Sequence, residues 1–599
     1  MKKLSLSFLA VLLSCSAWAY DALIDGIYYN LNTEAKTAEV TFRSNTYRSY
    51  SGDVVIPSSV MYSNVTYRVT SIGYNAFRES SDLTSVEIPN SITSIGASAF
   101  AGCKSLASIE IPSSVTSIGD NSFNNTAWYN NQPDGLVYIG NTAYKYKGTM
   151  PENTSIVIKE GTKEIAGGAF DLCTGLISVT IPNGVTRIGN RAFYNCINLA
   201  SIEIPSSVTI IGDEALFCCA YLTSIKVAKG NTVYDSRGNC NALIETASNK
   251  LLAGCMNTVI PNGIQSIDDY AFAFSIGLTS ISIPNSVTSI GKEAFFYCIG
   301  LTSIDIPNSV TYVGRNAFED TPWYNNLPDG LLYVGKVAYR YKGTMPENTN
   351  LEFKENTTCI AYEAFLNCMG MTSVTIPNSV TKIDYYAFAG CSGLASIKVN
   401  EGNPVYDSRN NCNAIIETSY RKLVLGCKNT KIPDDVTIIG ANSFKGCTDL
   451  VSIEIPEGVV SLEAAFQDCT SLTTVYLPQS LKRMEDYVFK GCMNIKDIYC
   501  LAEKVPDDKD NVFTGADVRT ATLHVPEASV ILYQYSTNWG RFGNIVAIDM
   551  TGMQSVDATN EDKKIEQIFT FDGKPQNTLH KGINIVRYAD GTTQKIVVR

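Results

Sequence analysis

Histidine is nearly missing from this sequence, with only His524 and His580 among 599 residues. Neither stands in a spacing that suggests a catalytic triad or a metal set, so acid–base and zinc chemistry lose their commonest side chain. Charge is sparse too. Charged residues make up 18% of the chain, the formal net charge is −11, and no block of Lys or Arg stands out. That leaves no basic footprint for nucleic acid or an anionic membrane. No G-x-S-x-G elbow and no phosphate-binding glycine motif occurs. No stretch approaches the 18 or more apolar residues of a membrane-spanning helix, so no transmembrane segment is expected. These absences point away from an enzyme, a cofactor and a metal site, and towards a binding or structural protein.

What is present begins with MKKLSLSFLAVLLSCSAWA. A basic start, an apolar run from Leu4 to Leu13 and Ala17-Trp18-Ala19 read as a secretory signal over residues 1–19, cleaved after Ala19. The rival reading is lipidation at Cys15. Export of the mature chain is expected.

Length alone suggests about four domains of roughly 150 residues. The chain instead repeats itself with a 23-residue period, as AFDLCTGLISVTIPNGVTRIGNR and AFYNCINLASIEIPSSVTIIGDE show. Fourteen copies can be traced by their A-F step from Phe77 to Phe489, with Leu216 standing in once. Within a copy, Leu301-Thr302-Ser303-Ile304-Asp305-Ile306-Pro307 alternates, is rich in β-branched residues and reads as a short strand that proline ends. The S/N-V-T-S-I-G piece is a second extended segment, and Gly291 or Gly314 at its end is expected to supply a positive φ. One coil cannot bury its own aliphatic residues, but stacked coils share a core and pair their strands in parallel. The expected fold is a mainly β repeat solenoid of about fourteen coils over residues 72–501.

The L-x-x-I-x-I-P strand followed by S-V-T-x-I-G-x-x-A-F-x-x-C resembles the BspA-type leucine-rich repeats of bacterial surface proteins. The resemblance implies a curved solenoid with a parallel sheet on its concave side. It also implies a cell-surface or secreted adhesin that attaches to host matrix or surface proteins such as fibronectin and fibrinogen.

Ten cysteines, among them Cys103, Cys196, Cys298 and Cys492, share one position of the repeat, and Ser81 or Ser275 replaces them elsewhere. A nucleophile or metal ligand would not be spread over ten coils. The ladder reads as small buried side chains.

Two kinds of insertion break the period. Residues 126–154 and 321–349 each carry a hairpin with Gly140-Asn141 as the first turn, and gather aromatics including Trp128 and Trp323. Those aromatics are either the hairpin's own core or a glycan contact, the latter requiring both tryptophans to be exposed. A glycan-binding surface protein is therefore the second functional reading. Residues 233–255 and 405–427 form the other pair, offset by 172, in which Asp235 and Asp407 suit turn formation better than calcium. A two-residue turn at Ala247-Ser248 would pair residues whose numbers sum to 495, setting Cys240 opposite Cys255, and the equivalent turn at Ser419-Tyr420 in the copy would set Cys412 opposite Cys427. Disulfides are expected there. Glu87, Glu110, Glu203, Asp305 and Glu454 fall on the outward position of the strand and could form a mildly acidic binding strip among Thr, Ser, Lys226 and Lys398.

Residues 20–71 are expected to cap the first coil, and 502–548 the last, with Trp539, Phe542 and Ile545 sealing it. A polar linker, 549–562, leads to a small strand-rich unit, 563–599, with Asp572-Gly573 and Asp590-Gly591 turns. That tail resembles the C-terminal sorting domains of type IX secretion, which implies the outer surface or surroundings of a Gram-negative cell.

Overall fold

The structure is a computed structural model. It describes residues 20–43, 47–548, 554–555, 565–570, 575–576, 578–579, 582–588 and 593–598. The signal segment with Cys15, His580 and both Asp-Gly turns of the tail lie outside the described residues. The chain divides into two units, one of residues up to Pro307 with Asn316–Asn326, the other of Asn308–Arg315 with Leu327 onward.

The first unit opens with an antiparallel meander, Ala22–Ile24, Ile27–Asn32 and Thr37–Thr41, which meets Val65–Ile72 in parallel. From Ile72 the S-I steps stack in register, Ile72 on Ile95 and Ile95 on Ile118. After the first hairpin, Gly135–Ile139 with Thr142–Lys147, the same ladder resumes from Ala143 through Ile165 and Ile188 to Ile211. A second ladder of longer strands, Thr154–Val157, Leu176–Thr180, Ser201–Ile204 and Ser224–Val227, runs beside it. A typical coil thus contributes one rung to a short-strand ladder and one to a long-strand ladder, as alternation along a half-buried strand dictates.

In the second unit the short ladder runs Ala338, Ile360, Ile383 and, after the second insertion, Leu423, Ile439, Leu462, Met484. The long strands there form two sheets, Thr349–Leu351, Met371–Ile376 and Ser396–Val399, and Ser452–Glu454, Thr474–Leu477, Asp497–Cys500, Thr522–Val525 and Asn544–Ala547. The tail forms its own five-stranded sheet, which Gln554–Ser555, from the expected linker, joins by pairing with Thr593–Val598.

Between the ladders the A-F phenylalanines stack. In the first unit Phe77 and Phe100 lie 4.9 Å apart at 7°, and Phe170 and Phe193 5.2 Å apart at 4°. In the second unit Phe466, Phe489 and Phe513 form a stack of their own at 5.5 and 5.8 Å. Phe513 is a coil beyond the fourteen expected, hidden in the sequence because Val512 and Ala516 replace the Ala and Cys of the motif. Trp539 is fully buried and packs edge-on to Phe513 at 5.4 Å.

The cysteine ladder lies against this stack. Cys103 Sγ sits 3.0 Å from the carbonyl of Phe77, Cys298 3.0 Å from that of Phe272, and Cys492 3.0 Å from that of Phe466. A small weak donor reaching one coil back explains why serine can replace cysteine here.

The glycine expectation is corrected. Gly291 does not have a positive φ; Glu293, two residues on, does, at +52°. A Cβ on Gly291 would meet the backbone N of Asp269 at 2.4 Å, and one on Gly119 the N of Ala97 at 2.3 Å. Glycine is demanded by the close approach of successive coils rather than by a turn.

Candidate binding face

On each long strand the aliphatic residues point inward and their neighbours point out. Glu87, Asp305 and Glu454 are the exposed last residues of such strands, and Glu203 is exposed one residue before the end of Ser201–Ile204. Glu110 is exposed as well but lies outside any strand, in the segment 106–112, which has no regular secondary structure. The acids of the first unit do not form one strip: Glu87, Glu203 and Asp305 belong to three separate sheets. Their neighbours are not acidic either. Glu87 faces Val55, Glu203 faces Lys226, and Asp305 faces Ser282, whose hydroxyl donates to it at 3.4 Å.

Glu454 has different company. In its own sheet it faces Tyr476, which faces Tyr499, which faces His524. Beneath them Ile453, Val475, Ile498 and Leu523 are buried, so period-2 alternation sends the whole row outward. Its rings are stacked: Tyr476 on Tyr499 at 4.8 Å and 17°, Tyr499 on His524 at 4.2 Å and 8°. His524 Nε2 lies 2.9 Å from the carboxylate of Asp497, which stands outward two residues before Tyr499. Burial, helped by the nearby Asp497 charge, raises the Tyr499 phenol above its usual range, so it stays a neutral donor at physiological pH. The arrangement is a half-exposed aromatic row, pre-ordered by stacking and by one imidazole–carboxylate contact, with a carboxylate at one end.

The tryptophans are neither buried nor free. Trp128 and Trp323 are half-buried on the one-turn helices Ala127–Asn130 and Pro322–Asn325. Each sets its ring edge-on to a stack phenylalanine, at 5.4 Å from Phe123 and 5.0 Å from Phe318. Thr126 and Thr321 stand at the cysteine position and cap these helices, accepting from Tyr129 N and Tyr324 N at 3.0 and 3.1 Å. In the first hairpin Tyr144 is 1% exposed and its hydroxyl accepts from Phe123 N. In the first insertion these aromatics seat the hairpin on the coil before it, and the joint exposure of both tryptophans required for a glycan platform is not found.

The expected disulfides are not formed. Cys240, Cys255, Cys412 and Cys427 are free thiols. Glu245 faces Lys250 and Ile244 faces Leu251, in the expected register, but a bulge then sets Leu243 opposite Ala253 and the pairing ends before either cysteine. The copy does the same with Ile415 and Leu425. Cys255 Sγ lies 3.3 Å from the carbonyl of Asn241, and Cys427 Sγ 3.8 Å from that of Asn413. Asp235 binds its own turn, accepting from Arg237 N at 3.0 Å, its guanidinium at 2.6 Å and Thr246 at 3.1 Å. Burial pushes this carboxyl up, yet those bonds outweigh it and hold it below the usual range. Among the described residues no group of three or more His, Cys, Asp or Glu could hold a metal ion, and no helix is long and apolar enough to cross a membrane.

A family model for the BspA type leucine rich repeat region, in 6 copies, matches residues 70–150, 137–246, 245–341, 323–417 and 413–536. The chain belongs to the BspA-type leucine-rich repeat family. No curated protein matches it. Among solved structures, a leucine rich cell surface protein from Faecalibacterium prausnitzii A2-165 is 27% identical, with 67% of this chain and 98% of that one covered and a TM-score of 0.33. A leucine-rich repeat protein from Bacteroides ovatus is 23% identical over 88% and 100%, TM-score 0.23. The pneumococcal vaccine antigen PcpA is 13% identical over 88% and 98%, TM-score 0.29.

In BspA-type terms the aromatic row occupies the outward x of I-x-I-P in successive coils: Ile453-Glu454, Val475-Tyr476, Ile498-Tyr499 and Leu523-His524. Sequence reading singled out the acids at x and passed over Tyr476, Tyr499 and Asp497. Reading x down the register would have found them.

Proposed function

We propose that this BspA-type protein is a cell-surface or secreted adhesin, and that it binds a host matrix or surface protein through the outward face of its long-strand sheet, without turnover and without a cofactor. The row Glu454–Tyr476–Tyr499–His524 carries the reading. Tyrosine is enriched among residues that dominate protein interfaces, and rings already held by stacking lose little freedom on binding. A basic segment of the partner would meet Glu454 and Asp497 at the edges of the row. Export is supported by the apolar signal at residues 1–19 and by the description of the Faecalibacterium relative as a cell surface protein. Residues 563–599 act in this reading as a type IX-like sorting and attachment unit of a Gram-negative cell. The test is surface plasmon resonance of the mature chain against fibronectin, fibrinogen and a panel of matrix proteins. Saturable binding that Tyr499→Ala weakens about tenfold, an ordinary hot-spot loss, supports the reading; binding to none of them, or turnover of any, refutes it.

A further inference from the structure

The second kind of insertion opens a cleft, and the chain builds it twice, once in each unit. Where a regular coil would place its phenylalanine, the strands Tyr234–Asp235, Leu243–Glu245 and Lys250–Ala253 intervene, as do Tyr406–Asp407, Ile415–Glu417 and Lys422–Leu425 in the copy. The gaps left beside Leu216 and Phe388 have volumes of about 400 and 380 Å³. The scaffold is the same in both. Tyr234 and Tyr406 accept from the backbone N of Ile211 and Ile383, each at 3.0 Å, and Lys250 and Lys422 stand at equivalent places on the wall.

The rims differ. Gly212-Asp213-Glu214 of the first cleft becomes Asp384-Tyr385-Tyr386 in the second, and Asp268-Asp269-Tyr270 becomes Gly440-Ala441-Asn442. The first rim is acidic and largely occupied with itself: Glu214 pairs with Arg191 at 2.7 Å and Asp268 with Lys250 at 2.6 Å. In the second, the charges are neutralised locally, Lys422 by Glu463 at 2.8 Å and Lys382 by Asp384 at 3.7 Å. What remains open there is mainly aromatic and amide, with the Glu417 carboxylate beside it. Tyr385 is 66% exposed, and the side-chain oxygen of Asn442 is buried with no hydrogen-bond partner among the described residues. An unpaired buried amide costs free energy unless a ligand satisfies it.

We propose that the second-unit cleft binds a neutral hexose-containing saccharide. An exposed tyrosine ring suits the apolar face of a sugar ring, the Asn442 amide and the half-buried Glu417 carboxylate suit its hydroxyls, and with Lys422 and Lys382 held in local ion pairs the cleft offers no uncommitted cation to attract an anionic ligand. The volume lies within the range of small-ligand pockets. This site is separate from the aromatic row and does not depend on the adhesin reading.

The experiment is titration calorimetry of the mature chain with neutral disaccharides (maltose, cellobiose, lactose and mannobiose) and with the anionic sugar glucuronate. Variants are Tyr385→Ala, Asn442→Gly, in which glycine accepts the native φ of +61°, and Asp213→Ala in the first cleft. Circular dichroism melts check that each variant folds. Saturable binding of at least one neutral disaccharide is expected, weakened about tenfold by Tyr385→Ala and by Asn442→Gly and unchanged by Asp213→Ala. Unchanged binding in Tyr499→Ala separates the site from the protein-binding face. Binding of none of the neutral sugars, binding of glucuronate alone, or binding that survives both cleft variants overturns the proposal.

Discussion

The thiol of Cys196 lies 3.1 Å from the carbonyl oxygen of Phe170, 26 residues back and one coil away. The same carbonyl also accepts from Cys173 N at 3.0 Å, so it is satisfied within its own coil and the thiol adds a second, weaker bond between coils. Burial pushes Cys103 and Cys298, at the same position, up to about 12, which leaves these thiols protonated and unreactive near neutral pH.

Substitution in the ladder should follow size more than polarity. Cys196→Ser keeps a small donor, as buried Ser275 does at the equivalent place, and should cost about 1 kcal/mol or less. Cys196→Leu must fit extra methylenes between coils and should cost roughly 1–3 kcal/mol. Urea midpoints of the two variants measure the difference, and an equal loss in both would show that the hydrogen bond matters more than the packing.

Alkylation should be selective. Among the described cysteines every one except Cys218 is buried. Brief treatment of the native protein with iodoacetamide, followed by peptide mapping, should label Cys218 first and leave Cys240, Cys255, Cys412 and Cys427 free until the chain is unfolded. A linked Cys240–Cys255 or Cys412–Cys427 peptide would show that the bulge in the insertion is not present in solution.

Glu164 makes part of the first unit sensitive to pH. It is 2% exposed, accepts from Ile118 N at 3.1 Å, and lies 3.0 Å from Arg187 Nε in an ion pair whose N–H is not aligned on it. Burial pushes its carboxyl up to about 7 against the pull of Ile118 N–H and Arg187, from an ordinary 4.5. The folded form therefore holds its proton more tightly than the unfolded chain. Stability from this group is complete below about pH 4.5 and is lost as the pH rises through about 7. Glu164→Gln should flatten the decline between pH 5 and pH 8 by roughly 1–3 kcal/mol, read from urea midpoints and from exchange protection of the Ile118 amide. An unaltered pH profile would mean that the carboxyl is solvated.

The repeat made most of the fold legible. A period of 23 with β-branched residues at fixed offsets leaves few ways to bury its aliphatics, and Phe77, Cys103 and Ile95 all sit where the pattern requires. Features that depend on how coils meet were not legible. Gly291 looks like a turn glycine until the backbone of Asp269 is seen 2.4 Å from its missing Cβ. The Cys240 and Cys255 pairing failed on one bulge, which shifts a register by a residue without any mark in the sequence. The binding row was hidden because Tyr476, Tyr499 and His524 are 23 and 25 residues apart and become neighbours only across the sheet.

The end of the second unit offers the sharpest test of how the core is closed. Trp539 is fully buried, edge-on to Phe513 at 5.4 Å and to Tyr533 at 5.4 Å, and so covers the last phenylalanine of the stack. Its indole Nε1 has no hydrogen-bond partner among the described residues, so the side chain contributes area while one donor goes unsatisfied. Trp539→Ala removes the area and leaves a cavity, for an expected loss of about 3–5 kcal/mol. Trp539→Phe gives up less volume and removes the orphan donor, so it should cost no more than about 1.5 kcal/mol. Urea unfolding and hydrogen exchange of the strand Thr522–Val525, which carries His524, measure both. If Trp539→Phe proves as damaging as Trp539→Ala, the indole N–H has a partner in solution and the closure depends on that bond rather than on buried area.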